Sequence, residues 1–346
     1  MFARIQLTLR QHRLETIALF VLCGGLALAG VIEAWRLNSL NFPHSCLQDG
    51  RVVQYWYDGS SAPTACQLAS KKFYDLVWSP DMSIVAMFEQ ILPFIVGIGF
   101  GAPLVAREIE TGTAPLSWAL AGSRFSWLLG KIVAVVVVMV PLLLVAGLAA
   151  DVREGALVPG IDPHAMFDSY AARGVFFVFW GLAAFLGTLA LGTIFGRTMP
   201  AVMVALIVCV FVRGLWEPAW THTILRPFAV EADYQWGSAD LFVYNSDQLY
   251  LDGKPWNGDL NQWFNEHQPA PPVMATPDAS GMVPSSSAAV SNAQPVDFGP
   301  PPQPITYVIH GADYWLVTRL ECAVLLAGSL LCGAIALFWV GRRKPY

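Results

Sequence analysis

Charge is scarce in this 346-residue sequence: only 13% of residues are Asp, Glu, Lys or Arg. The signatures of energy-consuming and hydrolytic chemistry are missing as well. No Gly-x₄-Gly-Lys-Ser/Thr run occurs, and Gly130-Lys131 stands without the preceding glycine, which excludes a P-loop for ATP. Neither a Gly-x-Ser-x-Gly elbow nor a His-Glu-x-x-His helix is present. The six cysteines and six histidines show no Cys-x-x-Cys or Cys/His spacing, so no metal site is expected. His12, His44, His164, His222, His267 and His310 are scattered through loops and form no catalytic pattern. Gly97-x-Gly99-x-Gly101 lies inside an apolar run rather than after a strand, so it is no dinucleotide fingerprint.

What the chain has in abundance is apolar sequence, 55% of residues, with a mean hydropathy of +0.51. It is gathered into six runs near 16–35, 84–106, 132–150, 175–195, 201–216 and 316–340, close to the ~20 residues that cross a bilayer. Such clustering argues for one polytopic membrane domain rather than two soluble ones. The expected spans are 16–37, 83–106, 132–150, 174–196, 200–216 and 315–341. The fifth is the shortest, crowded at its end by Arg213 and Glu217. The first continues past Trp35 without a small-x-small cleavage pattern and does not read as a cleavable signal peptide. Residues 1–15 set Phe2, Ile5 and Leu9 against Arg4, Arg10 and Arg13: either an amphipathic helix lying in the headgroups or a plain basic flank.

Six spans put the N-terminus, the 107–131 loop, the turn after 196 and the 342–346 tail on one side. That side holds ten basic and three acidic residues, Glu15, Glu108 and Glu110. The remainder holds ten basic and twenty-two acidic, which together make the net charge of −5. The basic side is expected to be cytoplasmic, with both termini there, in the cell (cytoplasmic) membrane. The overall acidity therefore belongs to the outward segments 38–82, 151–173 and 217–314, and gives no argument for nucleic acid. In the last of these, 220–264 is aromatic and acidic and expected to be ordered. Residues 268–304 are rich in Pro, Ala and Ser and read as a tether. Cys46 and Cys66 share the first outward loop, where an oxidising exterior permits a disulfide worth roughly 3 kcal/mol, the alternative being two free thiols. The other four cysteines lie in spans.

Ionisable residues inside spans are candidates for function because hydrocarbon penalises them. Glu89 and Gln90, followed by Pro93, stand in the outer part of the second span. Facing inward they would line a substrate path; facing outward they would sit at the headgroup boundary. Glu33, Arg319 and Glu321 read as boundary residues. No chain of acids over several spans is evident, which argues against a self-powered carrier, and no polar cluster suggests an intramembrane enzyme.

The stretch from Arg107 to Lys131 gathers charge, a helix start and a short amphipathic segment between two spans. Thr113 is expected to cap a short helix with Pro115 in its first turn and Gly122 as its stop. Leu116, Ala119 and Leu120 share one face. Arg107-Glu108-Ile109-Glu110-x-Gly112-Thr113, with Leu116 and Leu120, then Ser123-Arg124 and Gly130-Lys131, resembles the permeases of type-2 ATP-binding-cassette (ABC-2) exporters. So does the layout of six spans with a tight turn between the fourth and fifth.

The resemblance implies an all-α polytopic fold with an N-terminal amphipathic helix and a cytoplasmic coupling helix. It implies an ATPase-coupling surface of Glu108, Glu110, Gly112, Thr113, Leu116, Trp118, Leu120, Arg124 and Lys131. The chain would itself bind no cofactor, with ATP and Mg held by a separate ABC ATPase subunit. It would pair with a second permease chain in the lipid bilayer and export an amphipathic small molecule, peptide or lipid. The outward segments are larger than the family's usual external helices. A membrane-anchored scaffold or sensor, binding a partner through those loops, is the other function the sequence allows.

Overall fold

The computed structural model describes residues 13–53, 64–232, 239–251, 254–259, 263 and 302–342. The helix expected at 1–15 falls outside these save for its last three residues, and so do the stretch 268–301 and the tail from 343. Among the described residues six helices are long and apolar enough to cross a membrane: α1 (Arg13–Ser39), α3 (Pro80–Glu110), α5 (Arg124–Leu157), α6 (Phe176–Phe195), α7 (Thr198–Ala219) and α8 (Tyr314–Arg342). Two shorter helices join them, α2 (Ala65–Val77) beyond one end of the bundle and α4 (Ala114–Ala121) beyond the other.

The third span was expected at 132–150, but α5 has 34 residues, about 51 Å at 1.5 Å per residue and far beyond the ~30 Å of hydrocarbon. Its charged ends stay helical because their side chains find partners within the protein. α3 runs unbroken through Pro93 and Pro103. It packs most closely on α6, while α1 lies on α5 and α8 on α6. Glycine decides the α3–α6 contact. A Cβ at Gly97 would strike Ala184, and one at Gly101 would strike Thr188 and the Phe185 carbonyl. Gly99 turns to open space. The operative pattern is therefore Gly97-x-x-x-Gly101, small residues one turn apart that bring two backbones together. The Thr188 hydroxyl then reaches across to the Gly97 carbonyl at 3.1 Å.

The described residues of the loops at the end of the bundle opposite α4 form ordered structure. Asp49 and Gly50, both at positive φ, turn the hairpin of β1 (Leu47–Gln48) and β2 (Arg51–Val52) as type I′ turns require. Cys46 and Cys66 are disulfide-bonded, which ties this hairpin to α2, and Thr64 with Gln67 forms a capping box at the start of α2. The Ser70 hydroxyl donates to the Val53 carbonyl and the Tyr74 hydroxyl to the Val52 carbonyl at 2.8 Å. Burial pushes the Tyr74 phenol up.

The membrane part is all-α as expected, but the segment after α7 adds a four-stranded antiparallel sheet. Its order is β3 (Val230–Glu231), β6 (Gln303–Ile309), β4 (Leu241–Leu251), β5 (Lys254–Trp256). Because Leu241 pairs with Ile309, the sheet ties the exit of α7 to the start of α8. The partner strands lie far apart in sequence and β4 carries two register shifts, which hides them from short-range patterns.

A leucine at Gly101 is expected to force α3 off α6. That should cost about 1–3 kcal/mol or more, read as a lowered thermal midpoint of the purified protein in detergent. The same change at Gly99, which faces open space, should leave the midpoint nearly unchanged.

Candidate functional site

Three arrangements stand out: a braced helix at the basic end, a buried ion cluster near the opposite end, and a cleft between α3 and α7.

At the basic end, α3 stops at Thr111, and Gly112 takes a positive φ of 71° that favours glycine. α4 ends on Gly122 at φ 75°, a left-handed C-cap. The expected Thr113 cap does not form. Thr113 already has helical dihedrals and no side-chain cap bond. The Gly112 turn delivers it into the helix, and its hydroxyl lies 3.0 Å from that of Thr111 and bonds back to the Glu108 carbonyl at 3.4 Å.

α4 is held by stacked rings and cations. Arg124 lies 4.6 Å over Trp118, Trp118 meets Trp127 edge-on at 6.0 Å, and Lys131 lies 4.7 Å over Trp127. Lys131 is buried, forms an ion pair with Glu108, and reaches the Leu104 carbonyl at 3.4 Å. The Glu110 carboxylate accepts from the Thr198 amide at 3.0 Å, at the start of α7 where a helix favours negative charge. Arg124 also donates to the Gly341 carbonyl at 3.2 Å. The charged residues around α4 are thus engaged within the chain, and Ala114 and Trp118 face inward. Leu116 and Leu120, 66% and 79% exposed, face away from the protein.

Near the opposite end, Arg153 is buried among three carboxylates from three helices. Its guanidinium meets Glu33 of α1 at 2.9 Å, Glu89 of α3 at 3.0 Å and Glu154 of α5 at 3.8 Å. The sequence placed Arg153 and Glu154 in an outer loop, made Glu33 a boundary residue, and found neither acids spread over several spans nor a polar cluster. Arg153 and Glu154 are instead helical and buried, acids from three helices do form a polar cluster, and Glu33, though near the end of its helix, is answered by Arg153 rather than by water. The missed signal was periodicity: Met139, Leu143, Ala146 and Ala150 mark the buried face of α5, and the same face continues through Arg153 and Glu154.

A second arginine extends this layer. Arg173, fully buried, donates to the Asp168, Pro163 and Met166 carbonyls and faces Asp151 at 3.3 Å. Asp168 pairs with Arg51 of the disulfide-closed hairpin at 2.5 Å. Glu321, also expected at the boundary, is buried in the bundle and accepts from Trp216 at 2.7 Å. Tyr170 faces it, and burial, then the neighbouring Glu321, push that phenol above its ordinary range. Arg319 lies on the other side of α8, in a shallow groove with Trp315 and Thr318.

Glu89 and Gln90 diverge. Glu89 points into the bundle at Arg153, while Gln90 lines a cleft of about 800 Å³ between α3 and α7. Apolar side chains, Gly99, and the polar trio of Gln90, Arg213 and Glu217 form its walls.

Residues 17–220 match the family model described as ABC-2 membrane transporter related, more than half of the chain. The chain belongs to that family. No curated protein and no solved structure matches it. As an ABC-2 relative it is a multi-pass membrane transport subunit. The matched region spans α1 to α7 and so includes α4, the Arg153 cluster and the cleft. The sheet and α8 lie beyond it.

For this ABC-2 relative, replacing Arg153 by Gln should leave three buried carboxylates without a counter-charge. The expected cost is about 3–5 kcal/mol, seen as a lowered melting midpoint. The double variant Arg153→Gln with Glu89→Gln should recover part of the loss. A single variant that melts with the wild type would refute the clasp.

Proposed function

We propose that the chain is the membrane subunit of an ATP-driven exporter, powered by a separate ABC ATPase that binds ATP and Mg and docks on α4. The observation that carries this reading is the contrast on α4 between a locked inner face and the outward pair Leu116 and Leu120. A one-turn apolar pair on a short, rigidly held helix is a knob for a hydrophobic groove in a partner. The charge of the same end supports placing it, with both termini, in the cytoplasm of a cell membrane.

Glu108, Glu110, Arg124 and Lys131, read in the sequence as flanking contacts to the ATPase, act in this proposal as internal braces that stiffen α4. Gly112 and Gly122 set its angle, and Trp118 is its root. A push on α4 then moves α3 and α5 as one body, and a second permease chain completes the path, a rigid-body mechanism. The α3–α7 cleft, with Gln90 at its wall, supports an amphipathic substrate. Glu89 serves the clasp rather than the path.

Leu116→Asp with Leu120→Asp is expected to abolish co-purification with the ABC ATPase partner and to cut transport at least tenfold, while insertion and melting stay normal. Gly112→Pro should give the same loss. Full transport by either variant would overturn the coupling role. Partner capture through the outer sheet, with no ATPase bound, would favour the scaffold reading instead.

A further inference from the structure

A second cavity, about 470 Å³, lies between α6, α7 and α8, within the roughly 300–1,000 Å³ usual for small-molecule sites. Phe94 and Cys209 line both it and the α3–α7 cleft. Its room comes from missing side chains. Gly187 on α6 and Gly328 on α8 border it, and a Cβ at either would stand in open space. The two hydroxyls along the shaft are already engaged: Thr188 gives its hydroxyl to the Phe185 and Gly97 carbonyls at 3.1 Å, and Ser329 to the Leu325 carbonyl at 2.6 Å, while the unpartnered indole N–H of Trp180 lies toward its outer end. A polar solute would lose its water there without compensation. A hydrocarbon chain would not.

The outer end has a different chemistry. Trp180 and Trp216 meet edge to face at 5.2 Å, and Trp216 donates to Glu321 Oε1 at 2.7 Å. Glu321 stands on α8 one turn beyond Leu325, a residue of the cavity wall. The side chain is wholly buried, and its Oε2 has no hydrogen-bond partner. Tyr170, Arg213, Glu217 and Cys322 also face this carboxyl. The Arg213 guanidinium lies 5.9 Å over the Trp180 ring, and its carboxylate neighbour, the exposed Glu217, is 3.8 Å away, a weak pairing. The base Arg213 and two acids, the buried Glu321 and the exposed Glu217, thus surround an indole pair at one end of an apolar shaft.

We propose that this groove seats one acyl chain of a zwitterionic phospholipid with an amine head, drawn from the bilayer. The ammonium binds Glu321 and the indole faces, and the phosphate binds Arg213, whose planar fork suits it. Trp180 and Trp216 are of the residue type that favours a membrane–water interface. Binding requires the Trp216 indole to swing off the carboxylate, opening Oε1 and Oε2 to the head group. The site adjoins the α3–α7 cleft proposed above as the substrate path and shares Phe94, Cys209 and Arg213 with it.

The test uses the full chain, stripped of lipid in detergent and titrated with phosphatidylethanolamine or phosphatidylglycerol of identical chains, with bound lipid counted by native mass spectrometry. Phosphatidylethanolamine should bind at least tenfold more tightly. Glu321→Gln should reduce it to the phosphatidylglycerol level. Arg213→Gln should weaken both lipids, and Gly328→Leu, which fills the shaft and leaves the head site intact, should abolish both. Equal affinity of the wild type for the two lipids, or undiminished binding in Gly328→Leu, would overturn the proposal. If Glu321→Gln does not fold, Gly328→Leu and the lipid comparison decide it.

Discussion

A charge buried in a helix bundle must be answered by another, and in this protein that need ties α3 to α5 at two levels. Lys131 takes Glu108 near one end; Arg153 takes Glu89 near the other. On α3 the two acids are 19 residues apart, about 29 Å along the axis, close to the ~30 Å thickness of a hydrocarbon core. The two clasps bracket the apolar layer, and the helices between them are held in register by charge at both margins. Burying so many ions is weak support for stability as such. What it does is fix one arrangement of three helices, since any slip leaves a guanidinium or a carboxylate unpaired.

The rest of the fold follows from this frame. α6 joins it through the glycine contact at Gly97 and Gly101, so α1, α3, α5 and α6 form a compact body. α7 is the least covered of the six spans, flanked by one cavity toward α3 and another toward α6 and α8. At the basic margin, α4 hangs from the clasp through the ladder of Arg124, Trp118, Trp127 and Lys131. Arg173 and Arg51 carry the outer clasp into the disulfide-closed hairpin, so the external cap is bound to the ends of the membrane helices. A transport subunit needs this combination, a stiff body that accepts a push and a loose wall beside a cleft.

Much of this was legible in the sequence. The six apolar runs, the glycine stop at Gly122 and the permitted pairing of Cys46 with Cys66 rest on local chemistry, and each appears in the structure. Thr113 failed as a cap because one glycine turn changed its dihedrals, a detail below the resolution of motif reading. Arg153, Glu154 and Glu321 were misplaced for another reason. Hydropathy marks a span as finished at its first charge, whereas a helix continues as long as its backbone bonds and its charges are answered. Their partners are separated by up to 120 residues, and no local window contains both. The sheet was hidden likewise, its central strands joined only through a long intervening segment.

The account's central claim is that α4 is the point at which a partner's force enters. The decisive measurement places a photoreactive phenylalanine at Leu120 in membranes that also contain the ABC ATPase proposed as its partner. The account predicts a covalent adduct with the ATPase whose yield changes when ATP is added. Adducts to lipid alone, with none to the ATPase in either state, would contradict it.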